Sequence, residues 1–343
     1  MKKFCIIISI ILLVIIIIFL VIRYVLFSLN IYAKNSPKNY TQQDNNYNIN
    51  TEKYSDFIAE FEKFSSIPGL KEGGVPQGLC YSKKYNVLFL SEYHFGGAPS
   101  VLHIIDLNTK EFIKSIILNE VNGDLFLGHV GGVTTDEETL WITDDYALYE
   151  YSLEEIIKSE DMVHICAISK KNLNIKADFI NYHKDILWIG EYYYYPIYRL
   201  DESKSKDRLN DKALLIGYNK NFDPKYAFYL PDKVQGIEWD SNDNLVISSS
   251  FWSFESSNIK IYSNPFYTYN QSAETIKIND KSIVVSHIDE NSLIKDYVLP
   301  PMAEGIEIID NELYVVFESA SNFYRYYTNN KTDFIYKTKL ENN

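Results

Sequence analysis

Gln235-Gly236-Ile237-Glu238-Trp239, followed shortly by Leu245-Val246-Ile247, is one copy of a pattern that occurs five times in this chain. The other openings are Gln77-Gly78, His129 with Gly131-Gly132, Asp178-Phe179 and Glu304-Gly305, and only Asp178 lacks a following glycine. The matching apolar triplets are Leu88-Phe89-Leu90, Leu140-Trp141-Ile142, Leu187-Trp188-Ile189 and Leu313-Tyr314-Val315. The five triplets begin at residues 88, 140, 187, 245 and 313, at intervals of 52, 47, 58 and 68. Self-similarity at such a period marks a repeat architecture, and a propeller brings the equivalent position of each repeat to one axis. Some 270 residues, about 54 per repeat, leave room for the four strands of a propeller blade. The predicted fold class is therefore all-β, a β-propeller of five blades over 72–343, with six or seven blades as the alternative if the insertion at 263–296, or the N-terminal segment, forms part of an extra one.

Turn and strand signals divide each repeat. In the first, Gly78 to Ser82, Val87 to Ser91, Val101 to Asp106 and Phe112 to Leu118 read as strands, with Asp106 to Lys110 as a turn. In the second, His164 to Ile168 is the predicted outer strand and Ser152 to Ser159 a short helix. In the third, Ile197 to Leu200 is the predicted third strand. The fourth carries a hairpin at Thr275 to Ile278 and Ile283 to Ser286, and the fifth uses Phe323 to Tyr327 and Phe334 to Thr338.

Ahead of the repeats, Lys2 and Lys3 precede Phe4 to Ile22, which is apolar apart from Ser9. At about 1.5 Å per residue this run spans most of a hydrocarbon core of about 30 Å. It exceeds the h-region of a cleaved signal, and no small-residue cleavage site follows. Residues 1–29 are thus predicted to be a transmembrane signal anchor, with 30–54 a disordered stalk and 55–71 a helical lead-in on Phe57, Ile58, Phe61 and Phe64. Placing the lysines in the cytoplasm makes the chain a single-pass protein of the cell membrane with its C-terminal domain extracellular.

The net charge is −13, which argues against nucleic acid and anionic lipid as partners. It leaves a small molecule, a glycan or a protein at one face of the propeller, besides the membrane reached by the first helix. Cys80 and Cys166, in apolar stretches of different repeats, read as buried thiols rather than a bridge. No Gly-x-Ser-x-Gly, phosphate-loop, His-Glu-x-x-His or Cys-x-x-Cys motif is present.

The opening residues Gln77, His129, Asp178, Gln235 and Glu304 would ring one mouth of the channel. A second polar set follows the triplets, including Glu92, Asp144, Glu191 and Glu318. Converging carboxylates cannot all stay ionised without a cation or a shared proton, and oxygen-rich clusters suit Ca²⁺. Glu304, Asp178, Asp144, Glu92 and Glu191 are the candidate metal ligands, and Gln77, Gln235 and Glu318 the candidate channel lining. His129 is the candidate general base because it alone in the ring titrates near neutrality. Water-filled hydrogen bonding across the channel, with no ligand, is the plainer alternative. Aromatic loops at Tyr192 to Tyr195, Phe251-Trp252 and Phe323-Tyr324 offer stacking faces.

Glu304-Gly305, with Gln77-Gly78 and Gln235-Gly236 as degenerate copies, resembles the Glu-Gly step of the six-bladed gluconolactonase (regucalcin-like), strictosidine-synthase-like and paraoxonase-type propellers. Pro300 to Gly305 and Phe317 to Ser319 resemble secreted bacterial propellers as well. The first resemblance implies a metal-binding glutamate at Glu304 and a divalent-metal-dependent lactonase or esterase activity. The chain lacks the Pro-x-Trp that usually follows. Three functions stand open: a ligand-binding propeller without catalysis, a metal-dependent hydrolase using Glu304, Asp178 and His129, and a glycan-binding or glycan-cleaving propeller.

Overall fold

The computed structural model describes residues 2–31, 37–45, 47–198, 212–278 and 280–340, with side chains of the first segment described only for 8–22. Five sheets form the blades, antiparallel except where an added strand pairs parallel at the outer edge of the first and third. Their innermost strands are Gly74–Ser82, Gly132–Thr135, Phe179–His183, Val234–Trp239 and Ala303–Ile309. Each of these packs on the next, and the last returns to the first, so the ring is closed. The five triplets occupy the second strands and are buried throughout, the most exposed being Trp141 at 9%. Those strands are covered on both faces by neighbouring blades, which is why they read as unbroken apolar runs rather than as an alternation. The apolar core is correspondingly divided into inter-blade layers, such as the one in which Trp188 meets Trp239 with centroids 4.9 Å apart.

The axis explains the opening glycines. A Cβ on Gly305 would lie 2.5 Å from the Gln77 carbonyl oxygen and 2.8 Å from the Gly78 Cα. One on Gly78 would lie 2.8 Å from the Val133 nitrogen, and one on Gly132 would lie 2.6 Å from the Ile180 nitrogen. Neighbouring strands approach too closely there for any side chain. Gly236 is looser, with nothing nearer than 3.5 Å.

Several predicted strands are placed differently. The outer strand of the second blade is Ser169–Asn172; Val163–Cys166 instead pairs parallel with Phe112–Asn119 as a fifth strand of the first blade. Cys166 is consequently exposed, against expectation, while Cys80 is buried. The third strand of the third blade is Leu214–Tyr218; of the stretch expected to supply it, residues 199 and 200 lie outside the described residues and Tyr198 only bridges Tyr194. The inserted hairpin, Thr275–Ile278 with Lys281–His287, forms but docks on the third blade beside Pro224–Tyr229, so it extends an existing sheet and builds no sixth blade. Tyr324–Tyr326 is a short 3-10 turn rather than part of a strand. The helix Leu153–Lys158, capped by the Ser152 hydroxyl, and the Asp106 turn form as expected.

The lead-in also departs from expectation. Only Ser55–Glu60 is helical; Glu62–Ser66 pairs antiparallel with Phe334–Lys339 as the outermost strand of the fifth blade. The apolar spacing suited a helix, but Phe64 is needed edge-on against Tyr314 at 5.0 Å and an unpaired strand edge awaited a partner. The described part of the expected stalk folds against the propeller as well. Tyr40 and Tyr54 are buried, Gln42 donates to Ser65 and to the Ser66 carbonyl, each at 2.7 Å, and the Asn45 amide donates to Asp333. Polar composition suggested disorder, yet the tyrosines supply the apolar surface. Lys2–Ile31 is a 30-residue helix whose described side chains, 8–22, are all exposed. Over the described residues no helix is long and apolar enough to cross a membrane, so the spanning segment expected at 1–29 is not shown.

Two substitutions test the crowded axis. Gly305→Ala should cost about 1–3 kcal/mol by overpacking, whereas Gly236→Ala should stay within about 1 kcal/mol of the parent, both read by denaturant unfolding. A chain beginning at residue 72 loses the closing strand and should show no cooperative melt, whereas one beginning at residue 37 should melt as a unit.

Candidate functional site

Where the inner strands begin, the channel widens into a cavity of about 360 Å³. Its lining includes Gln77, His129, Asp144, Asp178, Gln235, Glu304 and Glu318, so seven of the nine predicted site residues meet there. Asp145, Lys176, Tyr192, Tyr198, Phe251, Trp252, Met302 and Tyr324 complete most of the wall.

Glu304 and Glu318 form the centre of the site. Both are buried, Glu304 at 4% and Glu318 at 8% exposure, and their carboxyls interact directly. Each has its own amide: Gln235 Nε2 donates to Glu304 Oε1 at 3.0 Å, and Gln77 Nε2 donates to Glu318 Oε2 at 3.3 Å. Burial, and then the neighbouring Glu318 charge, hold Glu304 well above the usual carboxylate range. Burial pushes Glu318 up to about 8 against the opposing effect of its bonds from Glu304 and Gln77. The pair therefore keeps a proton near neutrality rather than carrying two adjacent buried charges.

A second charged group stands on the approach to the third blade. Lys176 Nζ lies 2.8 Å from Asp178 Oδ1, and the Tyr192 amide donates to Asp178 Oδ2 at 2.7 Å. Burial raises Asp178 despite Lys176; burial is also the largest single effect on Lys176 and lowers it, but the Asp178 charge and hydrogen bond, with Asp145 and Tyr146, together raise it. Asp144 caps the preceding loop, accepting the His129 backbone amide at 2.6 Å. The His129 ring stacks on Tyr93 with centroids 4.3 Å apart. Desolvation, and secondly the Lys176 charge, lower its pKa, although the residue keeps an exposed side.

Glu92 and Glu191 do not join this group. Glu92 is fully buried beside the first blade, 3.0 Å from His103 Nε2, with Gly69 and Gly74 packed on its carboxylate. Glu191 accepts the backbone amides of Lys176 at 3.1 Å and Leu214 at 3.0 Å, a structural use. His94 is likewise buried elsewhere, against the Pro99 carbonyl and Tyr40. Among the described residues no three His, Cys, Asp or Glu side chains come together in a way that could hold a metal ion.

A second polar ring was missed from the sequence. Two residues beyond each opening glycine, or beyond Phe179, stand Cys80, Thr134, Asn181, Glu238 and Glu307. Asn181 Nδ2 donates to Glu238 at 2.6 Å, the Tyr81 amide to Glu307 at 3.0 Å, and the Tyr182 amide to Thr134 at 3.0 Å. These bonds tie each inner strand to its neighbour. Period-two alternation along the inner strands is the signal that would have found them.

Four non-glycine residues around the cavity have left-handed backbone: Val130 (φ 48°), Asp145 (49°), Trp252 (60°) and Met302 (68°). For branched Val130 this is a costly conformation, and such strain gathers at functional sites.

The proton held by the glutamate pair makes stability pH-dependent. Their folded pKa values exceed the unfolded ones, so the stabilisation is complete below the ordinary carboxylate pKa of 4.5 and lost as pH rises through about 8. Melting temperature should fall over that window, and Glu318→Gln should flatten the fall; a slope identical to the parent's would show that the pair does not hold the proton.

No family model and no curated protein matches this chain. Solved structures do. The PQQ-bound aldose sugar dehydrogenase of Streptomyces coelicolor matches with 11% identity over 82% of this chain and 97% of that one, at a TM-score of 0.46. The glutaminyl cyclase of Myxococcus xanthus matches with 11% identity over 82% and 95%, at 0.42. The hydrazine synthase of Kuenenia stuttgartiensis matches with 8% identity over 71% of this chain at 0.36, and the chain spans 55% of its length. At such identities and scores none of them says anything about ligand or activity, and none establishes the superfamily that Glu304-Gly305 resembles. Blade topology makes the chain a five-bladed β-propeller.

Proposed function

We propose that this chain is a ligand-binding propeller that takes a small polar molecule, without turning it over, into the cavity at its channel mouth. The observation that carries this reading is the buried Glu304–Glu318 pair, each member held by its own glutamine and open to a space of about 360 Å³. A cavity of that size with a few fixed polar groups and aromatic walls has the usual make-up of a small-molecule site. The ring contacts around it support the same reading. Tyr198 stands edge-on to Tyr192 at 5.3 Å, and Tyr194 lies 4.4 Å from Phe251. The hydrolase alternative gains less, because the residue proposed as its base contributes a stacked ring and a backbone amide rather than a ring hydrogen bond to a carboxylate.

Attachment to a membrane through residues 1–29, with the propeller outside the cytoplasm, belongs to the same proposal. It is supported by the apolar run Phe4 to Ile22 and by the exposure of every described side chain within it. Fractionation tests it: the chain should stay with membranes through alkaline carbonate extraction, and its recovery in the soluble fraction would refute attachment.

Thermal-shift screening with small polar probes, followed by equilibrium titration, tests the binding reading. At least one probe should raise the melting temperature and be recovered unaltered. Trp252→Ala, at an exposed position, and Glu304→Gln should each weaken its affinity about tenfold or more, corresponding to about 1.4 kcal/mol. Binding that survived both changes, or a probe returned as product, would contradict it.

A further inference from the structure

The cavity is unbalanced in charge. Asp144, Asp145, Asp178, Glu304 and Glu318 face it, whereas Lys176 is the one cation among the described lining residues and is already engaged by Asp178 at 2.8 Å. The chain as a whole carries −13. An anion would be repelled there, and a neutral polyol would gain nothing from the excess.

The walls suit a particular kind of cation. Tyr192, Tyr198, Trp252 and Tyr324 present rings to the space, and ring faces attract ammonium groups by about 0.5–2 kcal/mol. The neighbouring loop already shows the arrangement: Lys233 Nζ lies 4.4 Å from the Tyr194 centroid and 5.2 Å from that of Phe251, and 2.8 Å from Glu255. A small divalent ion needs several oxygens at close range, and the described acidic groups do not converge enough to supply them. A larger, softly solvated cation uses dispersed carboxylates and rings together.

Resting on the reading that the cavity binds a small molecule, we propose that its ligand is an organic ammonium compound, held by the Glu304 and Glu318 carboxyls and by the aromatic side chains of the wall. The ligand's positive charge favours ionisation of the buried pair: a carboxyl O–H bond breaks, the proton leaves to solvent, and no covalent bond to the ligand forms. The phenols facing the pair, Tyr93, Tyr192 and Tyr324, are all held neutral by burial first and the nearby glutamate charges second. His129 is neutral and Lys176 charged across the same window, while Asp144 and Asp178 lie on the wall as further acceptors.

The test is calorimetric titration of the full chain in detergent with choline, whose charge does not change with pH, against its neutral isostere 3,3-dimethylbutan-1-ol. Choline should bind, with a heat that depends on the buffer's ionisation enthalpy as release of about one proton requires. Its affinity should rise with pH, by up to about tenfold per pH unit, as Glu318 titrates near about 8. The isostere should bind at least about tenfold more weakly. Glu318→Gln should reduce the proton release, whereas Trp252→Ala should weaken choline and leave the proton count unchanged. Equal binding of the isostere, choline binding without proton release, tighter binding of Ca²⁺ than of choline, or no choline binding at tens of millimolar would each overturn the inference. Saturable binding of a sugar without proton release would overturn it while leaving the cavity a ligand site; failure of every class of probe would remove both.

Discussion

The whole molecule depends on how closely five strands can approach one axis. At Gly78, Gly132 and Gly305 the neighbouring backbone stands where a Cβ would be, so the ring can close only where side chains are missing. Once it closes, the edges of the inner strands face each other without a regular ladder, and their polar groups need partners. Side chains provide them: Thr134 and Glu307 accept amides from adjacent blades, and Ser91 receives the Gly78 amide at 2.9 Å while donating to the Val130 carbonyl. The polar channel is thus first a consequence of strand geometry, since buried backbone groups must be hydrogen-bonded.

The cavity is where this structural polarity exceeds what strand pairing needs. Glu304 and Glu318 bond to side-chain amides and interact directly, and the cost of two adjacent buried charges is relieved by keeping a proton. The left-handed residues Val130, Asp145, Trp252 and Met302 lie in the loops that frame the same space. Strained backbone is retained only where the surroundings over-determine it, and here the surroundings are blades locked by the closing strand Glu62–Ser66.

Much of this was legible in the sequence because repetition converts position along the chain into position around an axis. The five triplets marked the second strands, and the opening residues and Glu318 marked the cavity. What was not legible depended on contacts between distant segments. Glu318, which faces the cavity, stands three residues past its triplet, whereas Glu92 and Glu191 stand two past theirs and turn toward His103 and toward backbone amides. Their shared place after a triplet hides that one-residue offset, which on a pleated strand changes the face. Phe61 and Phe64 fit a helical stripe equally well until Phe334–Lys339 offers an open edge. Likewise Val163–Cys166 and the inserted hairpin joined sheets belonging to neighbouring repeats, which no periodicity within one repeat can announce.

That Glu304 and Glu318 keep a proton at neutral pH because they are buried together is the central claim, and carboxyl-carbon NMR of chain labelled at glutamate tests it most directly. With Glu304→Gln and Glu318→Gln used to assign the two resonances, the account predicts that at neutral pH at least one carboxyl remains protonated and that each titration is altered by loss of its partner. Two independent titrations in the ordinary carboxylate range, each indifferent to the other residue, would contradict it.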